Sequence, residues 1–311
     1  MNKHQQYRTL LAALHSEQFV SGLQLSALIG TTRAVVHRRL KELQSFGVDI
    51  NAIAGRGYRL LHSDILLPDI TQQVPGEVHY CHHLLTSSTN EDAFHRLQLS
   101  SKPVVVTTEY QMTGRGRRGQ PWLSPFGANL MFSFGAWLPQ QDVFRPFSLQ
   151  VGLLLAQTLS SMFSVPCQLK WPNDLWLDDQ KCAGILVELQ SFQGHTALII
   201  GIGLNVNAAP TGVTQPVTTL SHHLNRRLHR APILIELVHR LHHWVKQDFS
   251  VPSLAAWAEY DALVGRRVWI VQGERRWSGT AQGVNSVGAL LVSTEQGLVE
   301  VTGGEVSVRL Q

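Results

Sequence analysis

Cysteine is scarce in this chain, and its few cysteines show no site-forming pattern. Cys81, Cys167 and Cys182 lack C-x-x-C spacing, which argues against a disulfide scaffold and a cysteine-based zinc site. Long apolar runs are also missing, since the longest, such as residues 153–156, fall far short of the roughly 18 residues that a membrane helix needs. The first residues lack the apolar stretch of a secretion signal. We therefore expect a soluble cytoplasmic protein with no membrane association.

Charge is sparse and unevenly distributed. Charged residues make up 15% and hydrophobic residues 44% of the 311 residues, which predicts two or three folded units. Residues 1–62 hold eight Lys and Arg against three acids, a net charge of +5. Because the whole chain carries +4, the remainder is close to neutral. Histidine doublets such as His222-His223 point their side chains in different directions, so they make poor paired metal ligands.

The basic N-terminal module has the pattern of a winged helix-turn-helix. Apolar residues recur at helical spacing in three short segments, and Gly30 followed by Thr31 or Thr32 allows a tight turn before the third. Two β-prone runs around Gly55-Arg56-Gly57 predict the wing. Basic residues lie away from the apolar stripe of the third helix, where they suit a DNA groove. The predicted DNA contacts are Arg33, His37, Arg38, Arg39 and Arg56.

The most informative segment reads Gly-Arg-Gly-Arg-Arg-Gly over residues 114–119. Its spacing satisfies the dinucleotide fingerprint G-x-G-x-x-G, but that motif needs a helix directly after the turn. Pro121 and Pro125 argue against a helix there. We therefore predict an arginine-rich loop whose backbone N–H groups and guanidinium groups bind a nucleotide phosphate. The alternative is a solvated basic turn.

Further segments supply polar groups suited to an acyl-phosphate site. Ser88-Thr89-Asn90 begins a predicted helix, and Ser88 with Glu91 has the spacing of a capping box. Lys170-Trp171-Pro172-Asn173-Asp174 leads into a predicted hairpin whose second strand starts near Lys181. A lysine at such a place is usually a rim charge. If it points into a site, it would neutralise a carboxylate and a phosphate brought together.

These segments together resemble the biotin–protein ligases, and with the basic module in front they resemble the bifunctional members that also repress the biotin operon. The resemblance covers nearly the whole chain and rests on four motifs in the family's order: Ser88-Thr89-Asn90, Gln111 through Gly119 with Trp122, Lys170 through Asp174, and Lys181 with Ala183-Gly184-Ile185. It implies an α+β multidomain protein. The expected domains are a winged helix-turn-helix (1–62), a class II aminoacyl-tRNA synthetase-like mixed β-sheet with helices on one side (66–265) and an SH3-like β-barrel (266–311). The region 62–64 is the expected linker.

The resemblance implies an ATP-dependent, AMP-forming biotin–[biotin carboxyl carrier protein] ligase. Biotin and ATP would give biotinyl-5′-AMP and pyrophosphate, and a lysine of the biotin carboxyl carrier protein of acetyl-CoA carboxylase would then take the biotin. Because two anions meet in the first step, positive charge and positioning should dominate catalysis. The resemblance also implies a homodimer that represses biotin biosynthesis genes by binding their operator DNA, with biotinyl-5′-AMP as corepressor.

The family pattern assigns roles to individual residues. The implied biotin and adenylate contacts are Ser88, Thr89, Asn90, Gln111, Arg115, Gly116, Arg117 and Lys181. Lys181 and Arg117 are the implied catalytic residues, and Asp174 is a candidate contact for Mg²⁺ because hard cations take carboxylate oxygens. Trp122 either walls the biotin tail or is a core indole. Val217 stands where the repressor members have an aromatic residue, which implies a less ordered loop and weaker coupling of the adenylate to DNA binding.

Other functions remain open on the sequence alone. One alternative is an adenylate-sensing transcription regulator without ligase activity, which an intact Lys181 and a complete arginine loop disfavour. A second is a ligase whose basic module is only a structural or dimerisation domain, which Arg33, His37 and Arg39 disfavour. A third is lipoate ligation on a related fold, disfavoured because the arginine loop and the Lys-Trp-Pro-Asn-Asp segment are of the biotin type.

Overall fold

The computed structural model of the protein describes residues 1–62, 65–139, 145–250, 253–272, 274–302 and 306–310, so Ser63 and Asp64 of the expected linker lie outside the described residues. Its α-helices are α1 (Lys3–Ala13), α2 (Gly22–Leu28), α3 (Arg33–Ser45), α4 (Thr89–Leu97), α5 (Phe147–Phe163), α6 (Leu220–His223) and α7 (Arg230–Lys246). Its strands are β1 (Ile50–Ile53), β2 (Gly57–Leu60), β3 (His79–Thr86), β4 (Val104–Gln111), β5 (Leu130–Trp137), β6 (Gln168–Lys170), β7 (Asp174–Leu177), β8 (Gln180–Phe192), β9 (His195–Leu204), β10 (Arg267–Gln272), β11 (Arg275–Val284), β12 (Leu290–Thr294), β13 (Gly297–Val301) and β14 (Val306–Leu310). Short 3₁₀ helices span Arg117–Gly119 and Leu254–Glu259.

The N-terminal module is the predicted winged helix-turn-helix. Gly30 ends the second helix region at φ +61°, and the Thr32 hydroxyl caps α3 by accepting a hydrogen bond from the Val35 N–H at 3.4 Å. Strands β1 and β2 pair antiparallel to form the wing. Gly57 is required there, because it has φ +107° and a Cβ would lie 2.2 Å from the Val20 carbonyl oxygen.

A seven-stranded mixed sheet forms the centre of the molecule, in the order β3-β4-β5-β9-β8-β7-β6. Strands β3 and β4 are parallel, and the other neighbours are antiparallel. Helices α5 and α7 pack on one face, against the cluster that contains Phe132, Phe134 and Ile200. The expectation that the helices lie on one side is wrong, because α4 covers the other face, against the alternate residues Val106 and Ile199.

The C-terminal strands form an antiparallel sheet in the order β13-β12-β11-β10-β14. Apolar side chains of this sheet, such as Val268 and Ile270, belong to the same hydrophobic core as the central domain. The Trp171 indole N–H also donates to the Gly288 carbonyl at 3.0 Å. The C-terminal sheet is therefore packed directly on the hairpin side of the central sheet.

The winged module packs beside the strand that ends at Gln111. Phe46, at the C-terminal end of α3, stacks on Tyr110 with ring centroids 5.0 Å apart, and its carbonyl accepts a hydrogen bond from the Phe126 N–H at 3.1 Å. Leu84 and Phe126 of the central domain belong to the hydrophobic cluster of the winged module. The end of α3 thus touches segments on both sides of residues 111–122.

A buried ion pair holds the chain where it enters the central domain. Arg230 donates to Glu109 at 2.7 Å and to the Ile65 carbonyl at 2.8 Å. Glu109 also accepts a hydrogen bond from the Leu67 N–H at 2.5 Å. Both side chains are almost fully buried, so removing one partner would leave an uncompensated buried charge.

Candidate active site and nucleic-acid interface

A cleft of about 1160 Å³ lies at the end of the central sheet where β4, β7, β8 and β9 meet loops. The residues predicted from the sequence for substrate or Mg²⁺ all line it: Ser88, Thr89, Asn90, Gln111, Arg115, Gly116, Arg117, Asp174 and Lys181. Val271 of the C-terminal sheet also lines the cleft. The fold thus gathers into one cavity groups that lie nearly a hundred residues apart in the chain.

The start of α4 presents a preorganised polar surface to the cleft. The Gln111 side-chain oxygen accepts hydrogen bonds from the Thr89 N–H at 2.8 Å and the Thr89 hydroxyl at 3.0 Å. Ser88 caps the helix by accepting from the Glu91 N–H at 3.4 Å. The Glu91 carboxylate pairs with Arg115 instead of returning to Ser88, so only half of the predicted capping box forms. The remaining N–H groups of the first turn favour a negatively charged or acceptor-rich ligand.

Sequence reasoning missed the residues that support this surface from the sheet. The Ser133 hydroxyl on β5 lies 2.7 Å from the Thr89 hydroxyl and 2.6 Å from the Asn90 side-chain oxygen. The Asn90 amide donates to Glu188 on β8 at 2.6 Å. Gly201 leaves the room that Asn90 occupies, since a Cβ there would lie 2.4 Å from its side-chain oxygen. Hydrogen bonds to both polar atoms of the Asn90 amide therefore fix its orientation.

The arginine-rich segment is a loop, with no α-helix directly after it, as predicted. Arg115 forms an isolated bridge with Pro121, and the Gly116 N–H donates to the Gln120 carbonyl at 2.7 Å. Arg115 also lies 3.1 Å from Glu91 and 3.4 Å from Glu188, which orients its side chain beside the start of α4. Burial and the neighbouring Arg118 charge lower the pKa of Arg117, opposed by Asp174, but a guanidinium remains charged at neutral pH.

Lys181 projects from a tight hairpin into the cleft. Asp178 and Asp179 form the two-residue turn between β7 and β8, with φ of +48° and +61°, the backbone of a type I′ turn. The Lys181 ammonium lies 2.8 Å from Asp174 Oδ1 and 5.5 Å from the centre of the Trp122 ring. The catalytic candidate is thus fixed by an ion pair and an aromatic face.

Trp122 is part of the cleft wall, and its indole lies on two glycines. A Cβ at Gly203 would come within 2.3 Å of the ring, and one at Gly184 within 2.9 Å. The indole is half-buried and lines the cleft, so of the two alternatives for this residue the structure favours the wall over the core. An apolar wall of this kind suits the aliphatic part of a ligand.

Asp174 is a single candidate metal contact and does not belong to a cluster of metal ligands. Lys181 already pairs with this carboxylate, and among the described residues no group of three or more His, Cys, Asp and Glu could hold a metal ion. An Mg²⁺ ion keeps several waters and takes substrate phosphates as ligands. The site therefore fits Mg²⁺ that arrives with a nucleotide, with Asp174 as one protein contact.

Asn205, directly after β9, is another polar residue for which the sequence indicated no role. It is fully buried and lines the cleft, and both polar atoms of its amide lack a partner. A buried amide without partners is costly. This donor–acceptor pair is therefore suited to a ligand that fills the cleft, such as a nucleobase edge.

The predicted DNA-binding residues divide into an exposed set and one internal residue. Arg33, His37 and Arg38 are exposed on α3, and Arg56 is exposed at the wing tip, 4.7 Å from the Phe19 ring. Arg39 is different, since its side chain is 14% exposed, donates to Gln6 on α1 at 2.9 Å and pairs with Glu42 at 3.0 Å. The exposed set is therefore available at the surface of the module, whereas the Arg39 side chain makes contacts inside it.

The sequence matches three family descriptions in order: HTH domain over residues 7–59, Biotin/lipoate A/B protein ligase family over 83–207, and Biotin protein ligase C terminal domain over 263–309. The bifunctional ligase/repressor BirA of Escherichia coli K12 is 33% identical over 96% of each chain. The chain belongs to the biotin protein ligase family. This family assignment and the fold class are as predicted from the sequence.

Other biotin protein ligases extend the match. The bifunctional ligase/repressor BirA of Bacillus subtilis is 26% identical over 94% of each chain. The biotin protein ligase of Aquifex aeolicus, solved in complex with biotin and ATP, superposes with a TM-score of 0.64 at 29% identity, covering 75% of this chain and 99% of that one. As to membranes, none of the described helices has the length and apolar character needed for a bilayer span.

Proposed function

We propose that this biotin protein ligase joins biotin to a lysine of the biotin carboxyl carrier protein of acetyl-CoA carboxylase in the cytoplasm, using ATP. The observation that carries the proposal is the single cleft in which the arginine loop, the start of α4 and Lys181 face one another. The Escherichia coli relative is named a bifunctional ligase/repressor, and the Aquifex aeolicus ligase is solved with biotin and ATP. The proposed domains are 1–62, 66–265 and 266–311.

In the first step, a carboxylate oxygen of biotin bonds to the α-phosphorus of ATP while the bond to the β-phosphate oxygen breaks and pyrophosphate leaves. Lys181 and Arg117 bring positive charge to the two anions, which lowers their repulsion and stabilises the charge on the transferring group. Asp174 fixes Lys181 in place. When it is bound with ATP, Mg²⁺ supplies further neutralisation of the phosphates, with Asp174 as its proposed protein contact.

The polar surface at the start of α4 is proposed to bind the biotin head group. Ser88, Thr89, Asn90 and Gln111 offer hydroxyl and amide groups there, and Trp122 covers the aliphatic tail. Arg115 and Gly116 belong to the loop over the acyl-phosphate. The unpaired amide of Asn205 is proposed to bind the nucleotide base, because its donor and acceptor otherwise stay unsatisfied.

In the second step, the amine nitrogen of the acceptor lysine forms an amide bond with the biotin carbonyl carbon. The bond from that carbon to the AMP oxygen breaks, and the amine proton goes to solvent. Lys181 lies where it can stay close to the carbonyl and to the departing phosphate. Enclosure of the adenylate by the arginine loop protects it from hydrolysis until the carrier protein arrives.

The second proposed activity is repression of biotin biosynthesis genes by a homodimer with biotinyl-5′-AMP as corepressor. The exposed Arg33, Arg38 and Arg56 support operator binding. The contact of Phe46 with Tyr110 supports the coupling, because Tyr110 precedes Gln111 and Phe46 ends the helix that would enter the DNA groove. A regulator that senses an adenylate without ligating is disfavoured by the assembled Lys181 site.

One experiment tests both activities. The protein is incubated with ATP, biotin and a carrier domain, and mass spectrometry measures the mass added to the acceptor lysine. A gel shift with operator DNA is then run with and without biotinyl-5′-AMP. Biotinylation together with adenylate-dependent DNA binding is expected. Adenylate-dependent DNA binding without carrier modification would instead support the sensing regulator. The absence of both activities in the same preparation would overturn the proposal as a whole.

A further inference from the structure

We infer that His223 is a positioning residue that fastens the loop of residues 215–219, named here the cover loop, to the hairpin that carries Lys181. The inference rests on the proposed ligase function, because the cover loop matters only if the cleft holds an adenylate. Three of the cover-loop residues, Gln215, Pro216 and Val217, line that cleft. His223 itself would act through Thr218 and Asp178, and not by touching the substrate.

Both ring nitrogens of His223 face a polar group. Its Nε2 lies 3.0 Å from the Thr218 hydroxyl in the cover loop, and its Nδ1 lies 3.4 Å from the Asp178 carboxylate in the β7–β8 turn. The side chain is only 12% exposed, whereas that of Asp178 is 71% exposed. One imidazole therefore bridges two segments that approach the cleft from different parts of the chain.

The hairpin end of this bridge is itself anchored. Asp178 is one of the two positive-φ residues of the turn, and the other, Asp179, forms an ion pair at 2.6 Å with Arg266, the residue directly before β10. Lys181 follows two residues after this pair. A contact to Asp178 thus ties the cover loop to a fixed point beside the catalytic lysine.

Two backbone hydrogen bonds form a second link between the cover loop and the hairpin. The Lys181 N–H donates to the Pro216 carbonyl, and the Thr218 N–H donates to the Lys181 carbonyl, each at 3.0 Å. These hydrogen bonds place Val217 beside Lys181 as an isolated parallel bridge. Two hydrogen bonds without a longer ladder are weak against fraying, and the His223 bridge on the neighbouring Thr218 adds a side-chain contact that helps to keep them closed.

Val217, the middle residue of the cover loop, explains why such a bridge is needed. Val217 has no aromatic face and cannot stack on a nucleotide base, so the ligand contributes little to holding the loop down. The sequence implied a less ordered loop for this reason. In the structure the loop is nevertheless hydrogen-bonded to the Lys181 strand, and the His223 bridge supplies the order that stacking would give.

Loss of the bridge should therefore affect retention of the adenylate more than its formation. The side-chain ion pair of Lys181 with Asp174 does not involve His223, and neither does the arginine loop, so the single-turnover rate of pyrophosphate release should stay within about twofold of the wild-type rate. Release of bound biotinyl-5′-AMP should become roughly tenfold faster, the effect of losing one or two net hydrogen bonds. The KM for ATP should rise while kcat changes little.

The test compares His223→Ala, His223→Gln and Asp178→Asn with the wild-type protein. Gln keeps a donor and an acceptor on one side chain and should restore part of the retention, and Asn tolerates the positive φ at position 178 while removing the charge. His229→Ala is the matched control, because His229 is an exposed histidine that follows closely in the chain, lies outside the cleft lining and should release adenylate at the wild-type rate. The double variant H223A/D178N should be no worse than His223→Ala alone, since the two residues act through one contact.

Hydrogen exchange separates this inference from the proposed function. In the ligand-free protein, His223→Ala should speed exchange of the Thr218 and Lys181 amides, whereas His229→Ala should not. If wild-type protein makes no adenylate, the proposed function fails, and the exchange result still decides whether His223 fastens the loop. Unchanged exchange at both amides, or unchanged adenylate release in an active protein, would overturn the inference.

Discussion

Lys181 lies 2.8 Å from Asp174, and the two side chains are 15 and 14% exposed at the wall of the cleft. The pair comes from the two strands of one hairpin, so the β7–β8 turn sets its geometry. A carboxylate beside the lysine holds the ammonium in position, but it also offsets part of the field that the lysine applies to an anion. Arg117, within range of the same carboxylate, adds a second positive charge to the site.

Replacing Lys181 with Ala should slow formation of biotinyl-5′-AMP by about 100-fold or more, the usual cost of removing a charged stabiliser of a transition state. Arg117→Ala should act in the same direction. Single-turnover release of pyrophosphate measures the step. Lys246→Ala is a control, since Lys246 pairs with Glu77 and does not line the cleft. A pyrophosphate rate that stays at the wild-type value in Lys181→Ala would contradict the assigned role.

Introducing a methyl group at Gly203 should push Trp122 out of the cleft wall, because the new Cβ would lie within 2.3 Å of the indole. We expect biotin to bind more weakly, with the fold retained, because overpacking typically costs a folded protein only about 1–3 kcal/mol of stability. Calorimetric titration of biotin into Gly203→Ala measures the loss. Gly76→Ala is the matched control, since its Cβ would meet nothing within 4 Å. Equal affinities in the two variants would show that the position of Trp122 does not matter for biotin.

The elements with local signals were predictable from the sequence. Apolar periodicity and the capping residue Thr32 gave the helices of the winged module, and the two prolines after the arginine segment predicted a loop there. Strand β11 (Arg275–Val284) was not predicted, because Arg275-Arg276-Trp277-Ser278-Gly279 lacks a clear apolar alternation. Its place in the sheet comes from pairing on both sides with β10 and β12.

The missed site residues share one physical reason. Ser133 and Glu188 lie in strands and Asn205 directly follows one, and the sequence there indicates no role for them. They gain their roles by facing α4 or the cleft. Arg39 shows the converse, since a helical pattern tells which face is polar but not that α1 will cover part of that face. Long-range packing decides both cases, and a single sequence carries no direct record of it.

Glu42 should make the winged module sensitive to acid. Burial would raise the pKa of this carboxyl, but hydrogen bonds from Tyr7 and Arg39 and the charge of Lys3 outweigh that effect and lower it. A carboxyl whose pKa is lower in the folded state stabilises the fold above its unfolded pKa of about 4.3, and this stabilisation is lost as the pH falls through the folded pKa. Hydrogen exchange of α1 and α3 amides in the whole protein, corrected for intrinsic rates, measures the loss of protection between pH 7 and 3.

Glu42→Gln should weaken protection of the winged module at pH 7 and flatten its dependence on pH, because the titrating group is gone. Glu17→Gln is the control, since Glu17 is exposed in the same module and should leave the pH dependence as it is in the wild-type protein. The same acid-induced loss of protection in Glu42→Gln as in the wild type would rule out this carboxyl as its source.

Removing the exposed arginines of α3 should separate DNA binding from ligation. Arg33→Ala and Arg38→Ala should each weaken operator binding and reduce the slope of log K against log salt by about 1, because each removes one phosphate contact, while biotinylation of the carrier domain stays unchanged. Arg39→Ala should behave differently, since it breaks the contacts with Gln6 and Glu42 inside the module and should lower stability before it changes the salt slope. Gel shifts across a salt series, with thermal unfolding of each variant alongside, measure both effects. Equal salt slopes for the wild type and the Arg33→Ala and Arg38→Ala variants would remove α3 from the DNA contact.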